Sequence, residues 1–138
     1  MTLAVDFDGT CVTHMFPQVG SDIGAQKVLK RLVDAGHQLI LYTMRSDVDN
    51  PVSEDPAIIP IAGQYLSDAV KWFEKNSIPL YGIQSNPTQS TWTTSPKCYA
   101  EIYIDDAAIG CPLIYPQHGR PYVDWNSVAY ILEERKIL

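Results

Sequence analysis

Long apolar runs are missing from this 138-residue sequence, and so is any surplus of positive charge. No stretch approaches the roughly 20 apolar residues a bilayer-crossing helix requires. Met1-Thr2-Leu3-Ala4-Val5-Asp6 reaches an acid before any apolar stretch can build, so no signal peptide is expected in it. The formal net charge of −6 makes a surface that repels nucleic-acid backbones and anionic membranes. Cysteine is scarce as well. Cys11, Cys98 and Cys111 are odd in number and form no C-x-x-C pair, so neither a disulfide framework nor a thiolate metal site is expected. Repeats, low-complexity tracts and Gly/Ser linkers are absent too. These gaps together point to one cytoplasmic domain spanning residues 1–138, with no membrane role and no general affinity for nucleic acid. A hydrophobic fraction of 46% against 19% charged is enough to build a core without disulfides.

Short apolar runs alternate with amphipathic ones. Residues 3–7 read as a buried strand followed by the turn Asp8-Gly9-Thr10. Ala25, Val28, Leu29, Leu32 and Val33 recur at helical spacing, and Gly36 supplies a C-terminal stop. Residues 38–42 form a second buried strand. Residues 47–60, rich in Pro, Asp and Ser, read as a loop. Ile61, Tyr65, Leu66, Ala69, Val70 and Phe73 mark a second helix. Further strands are expected at 80–83 and 102–104, with a polar loop over 84–96 between them and a short fifth strand at 113–115. Asp124 caps a last helix carrying Val128, Ile131 and Leu132. Continuously apolar strands alternating with helices predict a parallel sheet covered on both faces.

In such folds, sites form beyond the carboxyl ends of the strands. Asp6 and Asp8 stand at the first of these ends, Thr43 follows the second, and Asp105 with Asp106 follows the fourth. Two carboxylates at one strand end suit phosphoryl chemistry, one attacking phosphorus and the other handling the leaving-group proton. A calcium loop would need a Glu about six residues past Gly9, and residues 10–15 hold no acid. Adjacent acids such as Asp105 and Asp106 repel unless a cation offsets them, and clustered with Asp6 and Asp8 they suit Mg²⁺. A hydroxyl from Thr43 and an ammonium from Lys97 are of the kind that binds a transferring phosphoryl group.

Val5-Asp6-Phe7-Asp8-Gly9-Thr10, then Leu39-Ile40-Leu41-Tyr42-Thr43, then Lys97, then Tyr103-Ile104-Asp105-Asp106 follow one another over most of the chain. This series resembles the haloacid dehalogenase superfamily in its phosphatase branch. The resemblance implies a Rossmann-like three-layer α/β sandwich and a hydrolase acting on phosphoric monoesters. Asp6 would be nucleophile and metal ligand, and Asp8 the general acid and base with its backbone carbonyl on Mg²⁺. Thr43 and Lys97 would bind the phosphoryl group. Asp105 would ligate Mg²⁺ directly or through water, with Asp106 either sharing that role or orienting Lys97. Asp8 argues against the dehalogenase branch, and the chain length against the transporter branch. The intervals between these motifs hold no full extra domain, so the resemblance is to capless members, whose open site accepts large substrates or borrows a neighbouring subunit of a homo-oligomer as a lid. The substrate expected first is a small phosphorylated metabolite such as a sugar phosphate or nucleotide. A polymer end or a phosphoprotein, and a non-catalytic metal- or phosphate-binding module, stand as alternatives.

Other residues carry two readings each. Arg45 either binds a substrate phosphate or carboxylate, or pairs with Asp47. Trp92 either stacks on a base or sugar, or packs down the loop that holds it. Cys11 reads as a packing residue, and His14 as a solvated loop histidine. The loops 47–60 and 84–96 are expected to form the rim of the site.

Overall fold

The computed structural model describes residues 1–50 and 61–138. The elements run β1 (Thr2–Val5), α1 (Ala25–Asp34), β2 (Gln38–Leu41), β3 (Asp47–Val48), β4 (Gly63–Gln64), α2 (Tyr65–Lys75), β5 (Gly82–Ile83), a 3₁₀ turn (Gln89–Thr91), β6 (Ile102–Ile104), β7 (Leu113–Ile114), β8 (Tyr122–Val123) and α3 (Trp125–Glu134). Four of the strands make the central sheet, in the order β5-β2-β1-β6, all parallel. Among the described residues no second globular unit covers it, and no helix is long and apolar enough to cross a membrane. The fold is a Rossmann-like three-layer α/β arrangement.

Strand alternation sorts the side chains. Leu3 and Val5 of β1 and Leu39 and Leu41 of β2 share one core with Leu29 and Leu32 of α1, Ala69 and Phe73 of α2, and Val128 and Leu132 of α3. One face of the sheet thus carries the helices. The opposite face, with Ala4, Ile40 and Tyr103, lies under the irregular segment from 84 to 100. There the Tyr103 hydroxyl donates to the Cys98 carbonyl, and Cys98 is buried. Both faces are covered as expected, one of them by a loop and not by a helix.

The local signals explain the element ends. At Gly36 the backbone turns left-handed (φ 88), and the Gly36 and His37 N–H groups donate to Val33 and Leu32 carbonyls at 2.9 and 3.0 Å. That Schellman arrangement closes α1. Asp124 caps α3 by accepting from the Asn126 and Ser127 N–H groups at 3.1 and 3.3 Å.

Two expectations need correction. Ile61 is exposed and outside α2, because residues 63 and 64 pair with Val48 and Asp47 in the small β3–β4 ladder. Part of the loop expected at 47–60 is therefore strand, and residues 51–60 lie outside the described residues. The strand expected at 113–115 forms over Leu113–Ile114 and pairs with β8 in a separate antiparallel ladder outside the central sheet.

The chain passes from β1 to β2 to β5 in one direction and then crosses to β6 on the far side of β1. The switch point lies between β1 and β6, where α/β sheets of this kind open a crevice for ligands.

Leu41, at the end of β2, is fully buried in the helix-covered core, whereas Ile109 is fully exposed. Leu41→Ala should lose about 2–5 kcal/mol of unfolding free energy, and Ile109→Ala should stay within about 0.5 kcal/mol of the parent. Urea denaturation of the two variants measures both.

Candidate active site

The Asp6 N–H still donates to the Ile104 carbonyl at 3.0 Å, so β1 stays paired with β6 up to the residue that leaves the sheet. A tight turn follows, in which the Phe7 carbonyl accepts from the N–H groups of Thr10 and Cys11 at 3.1 and 2.7 Å. Gly9 is needed here twice over. Its φ is 79°, and a Cβ would stand 2.0 Å from His14 Nε2 and 2.6 Å from Asp106 Oδ2. Thr10 is fully buried, and its hydroxyl donates to Asp6 Oδ2 at 3.1 Å while accepting from the Asp106 N–H at 3.0 Å. One side chain thus ties the acids of β1 to those of β6. The thiol of Cys11 points at the Asp6 carbonyl (3.3 Å), and burial pushes its pKa well up, as befits a packing residue.

Carboxylate oxygens of Asp6, Asp105 and Asp106 lie within 4.8 Å of one another. Asp105 Oδ1 accepts from the Ala107 N–H at 2.8 Å, and Asp106 Oδ2 meets His14 Nε2 at 2.8 Å. Burial first, and then the charges of Asp105 and Asp106, raise the Asp6 pKa to about 7, against the opposing pull of the Phe7 N–H and the Thr10 hydroxyl. Three hard oxygen donors within reach of one centre fit a divalent cation such as Mg²⁺. Both Asp105 and Asp106 belong to this cluster. Asp8 gives it no side-chain oxygen, because its carboxylate is engaged elsewhere.

That engagement is with Arg45. A guanidinium has five N–H donors, and here each one is used. Nε and Nη2 donate to the two Asp8 oxygens at 2.7 and 2.8 Å, Nη2 to the Gln18 carbonyl at 2.7 Å, and Nη1 to the Pro17 and Tyr65 carbonyls at 3.3 and 3.2 Å. The group sits 5.1 Å from the centroids of both the Phe7 and Phe16 rings. Neither reading of Arg45 from the sequence holds, since it has no N–H left for a substrate anion, and Asp47 instead accepts from Ser67. The Thr43 hydroxyl accepts from the Arg45 N–H at 3.2 Å. The Gln84 carboxamide accepts from the Thr43 N–H and donates to the Thr43 and Arg45 carbonyls.

Asp6, Asp8, Thr43, Arg45, Asp105 and Asp106 line one cleft of about 490 Å³, together with His14, Phe16, Met44 and Arg120. Lys97 is not part of that lining. It is exposed, with its ammonium 5.5 Å from the Tyr103 ring centroid on the sheet face away from the helices. The reason is positional: Lys97 precedes β6, whereas the cleft opens past its end. Nor does any residue of 84–96 form the rim, and Trp92 packs edge-on against Tyr99 at 5.4 Å. Sequence reasoning undervalued His14 and passed over Gln84 and Arg120. A histidine five residues past a glycine turn is a weak local signal, and an arginine far along the chain is none.

A solved structure shares this fold. It is that of a conserved protein coded by a locus of Bacteroides thetaiotaomicron, 29% identical, with a TM-score of 0.71 over 98% of this chain and 91% of that one. No protein-family model and no curated protein matches the chain. The likeness therefore carries the architecture over nearly the whole length, and the chemistry rests on the cleft.

Two measurements probe the site without a substrate. In chelator, a carboxyl whose folded pKa is raised to about 7 from 3.8 costs stability as pH climbs through that window. Asp6→Asn removes this penalty, so the melting temperature of the variant relative to the parent should be higher at pH 8 than at pH 5. An equal difference at both values would contradict the assignment. Arg45→Ala strands the Asp8 carboxylate and three carbonyls, and should cost about 3–5 kcal/mol in urea titrations. Arg45→Lys should recover only part of that, since an ammonium lacks the planar fork.

Proposed function

We propose that this chain is a Mg²⁺-dependent phosphatase that hydrolyses a phosphomonoester through an aspartyl-phosphate on Asp6. The convergence of Asp6, Asp105 and Asp106 at the switch point of the sheet, with Thr43 across the same cleft, carries the proposal. The motif order that resembles the haloacid dehalogenase superfamily supports it. The substrate class is a small phosphorylated metabolite, a sugar phosphate or nucleotide, admitted by an open cleft.

An Asp6 oxygen attacks phosphorus, the ester P–O bond breaks, and the leaving oxygen takes a proton from Asp8. Water then attacks the phosphorus of the aspartyl-phosphate and gives its proton to Asp8. The bond from phosphorus to Asp6 breaks, and inorganic phosphate leaves. Mg²⁺ held by Asp6 and by Asp105 or Asp106 would supply the positive charge that lets an anionic nucleophile meet an anionic ester. Thr43 donates its hydroxyl to a phosphoryl oxygen. Arg45 holds Asp8 from one side through both oxygens, each of which keeps a second lone pair for the travelling proton. Lys97 is given no role in these steps.

With an activated aryl phosphate, Mg²⁺ should support turnover and excess chelator should abolish it. Asp6→Asn should be inactive. Asp8→Asn should lose a factor of about 10² to 10⁴ and show a burst of released phenol, with phosphate retained on a peptide containing Asp6. Turnover that persists in chelator, or in Asp6→Asn, would refute the mechanism.

A further inference from the structure

We infer that Arg120, from the turn between β7 and β8, is the cation that binds the phosphate of the substrate in this cleft. The inference rests on reading the cleft as a phosphoryl site, and it assigns that site a residue outside the motif series.

Charge accounting inside the cleft leads to it. Four carboxylates line the space, those of Asp6, Asp8, Asp105 and Asp106. A phosphate dianion entering among them needs cationic donors of its own, beyond any metal charge already shared with the carboxylates. Arg45 is the nearest guanidinium in sequence to the motifs, but all its N–H groups are taken by Asp8 and three carbonyls. His14 is held by Asp106. Lys97 lies over Tyr103 and outside the cleft. Among the described residues, Arg120 is the cation that lines the cleft with no hydrogen bond or ion pair to the protein. Its planar fork matches two phosphate oxygens at once.

The support beneath Arg120 is firm although its side chain is exposed. The Val123 N–H, three residues on, donates to the Gly9 carbonyl at 2.9 Å. The Trp125 indole donates to the Thr10 carbonyl at 2.7 Å, and both Val123 and Trp125 are buried. The β7–β8 ladder is thereby fastened to the same turn that carries Asp6 and Asp8. Arg120, two residues before β8, thus lines the cleft from a segment anchored to the turn that follows the nucleophile.

The experiment is a calorimetric titration of inorganic phosphate into the Mg²⁺-loaded protein, with Arg120→Ala, Arg120→Lys and Lys97→Ala alongside. The parent should bind phosphate. Arg120→Ala should weaken binding by about tenfold or more, Arg120→Lys should fall between, and the loss in Lys97→Ala should be smaller than in Arg120→Ala. The melting temperature of Arg120→Ala without phosphate should match the parent, since an exposed side chain without partners holds nothing together. Equal phosphate affinity in Arg120→Ala and the parent, a larger loss in Lys97→Ala, or no phosphate binding by the parent would each overturn the inference. The two readings separate cleanly. Arg120-dependent phosphate binding with no ester hydrolysis would sink the phosphatase and leave Arg120 standing. Hydrolysis through Asp6 with a silent Arg120→Ala would do the reverse.

Discussion

Arg45 and Asp8 form the contact on which the cleft depends. The guanidinium lies between the rings of Phe7 and Phe16 and joins four pieces of chain: the turn after β1, the segment at residues 17 and 18, the end of β2, and the start of α2. Burying a charge is costly unless every hydrogen-bonding position is met. Here five acceptors surround five donors, so the cost is offset and the geometry becomes stiff. No other side chain offers that many donors in one plane. Whatever Asp8 does for a reacting group, it does from an orientation that Arg45 sets.

The second constraint is a repulsion that the sheet does not allow to relax. Val5 pairs with Ile104, so the next residues, Asp6 and Asp105, leave the sheet side by side. Thr10 then draws Asp106 in by its N–H. Backbone pairing summed over the β1–β6 ladder holds together, at the strand ends, carboxylates that would otherwise separate. The raised pKa of Asp6 comes first from its burial and then from the neighbouring charges of Asp105 and Asp106. Local conflict of this kind, held in place by a well-packed surrounding, is what marks a site apart from a structural strand end.

The uneven cover of the sheet matters for the same reason. With α1, α2 and α3 packed on one face, the other is left to a segment whose Gln89 side chain bonds the Ser95 and Lys97 carbonyls and the Tyr99 N–H. That network fixes the shape of the segment, and the Tyr103 hydroxyl ties it to the sheet face through the Cys98 carbonyl. Lys97 goes with it, and the positive charge of the cleft has to come from elsewhere in the chain.

Periodicity and strand-end rules act over a few residues, so much of this was legible in the linear order. The four sheet strands, the stop at Gly36, the cap at Asp124 and the gathering of Asp6, Asp105 and Asp106 at one edge all follow from local pattern plus the parallel-sheet rule. β7 was expected at 113–115, but β3, β4 and β8 did not show, because two-residue strands carry no period and exist through what they lie against. The nitrogen-bearing side chains were the least legible. Arg45, Lys97, His14 and Arg120 have long or rotatable side chains, and the partners of the first three stand up to ninety-two residues away, as His14 and Asp106 do. A carboxylate at a strand end is positioned by its own backbone. A guanidinium or imidazole is positioned by whichever acceptors the folded chain brings within reach, and folding alone set those.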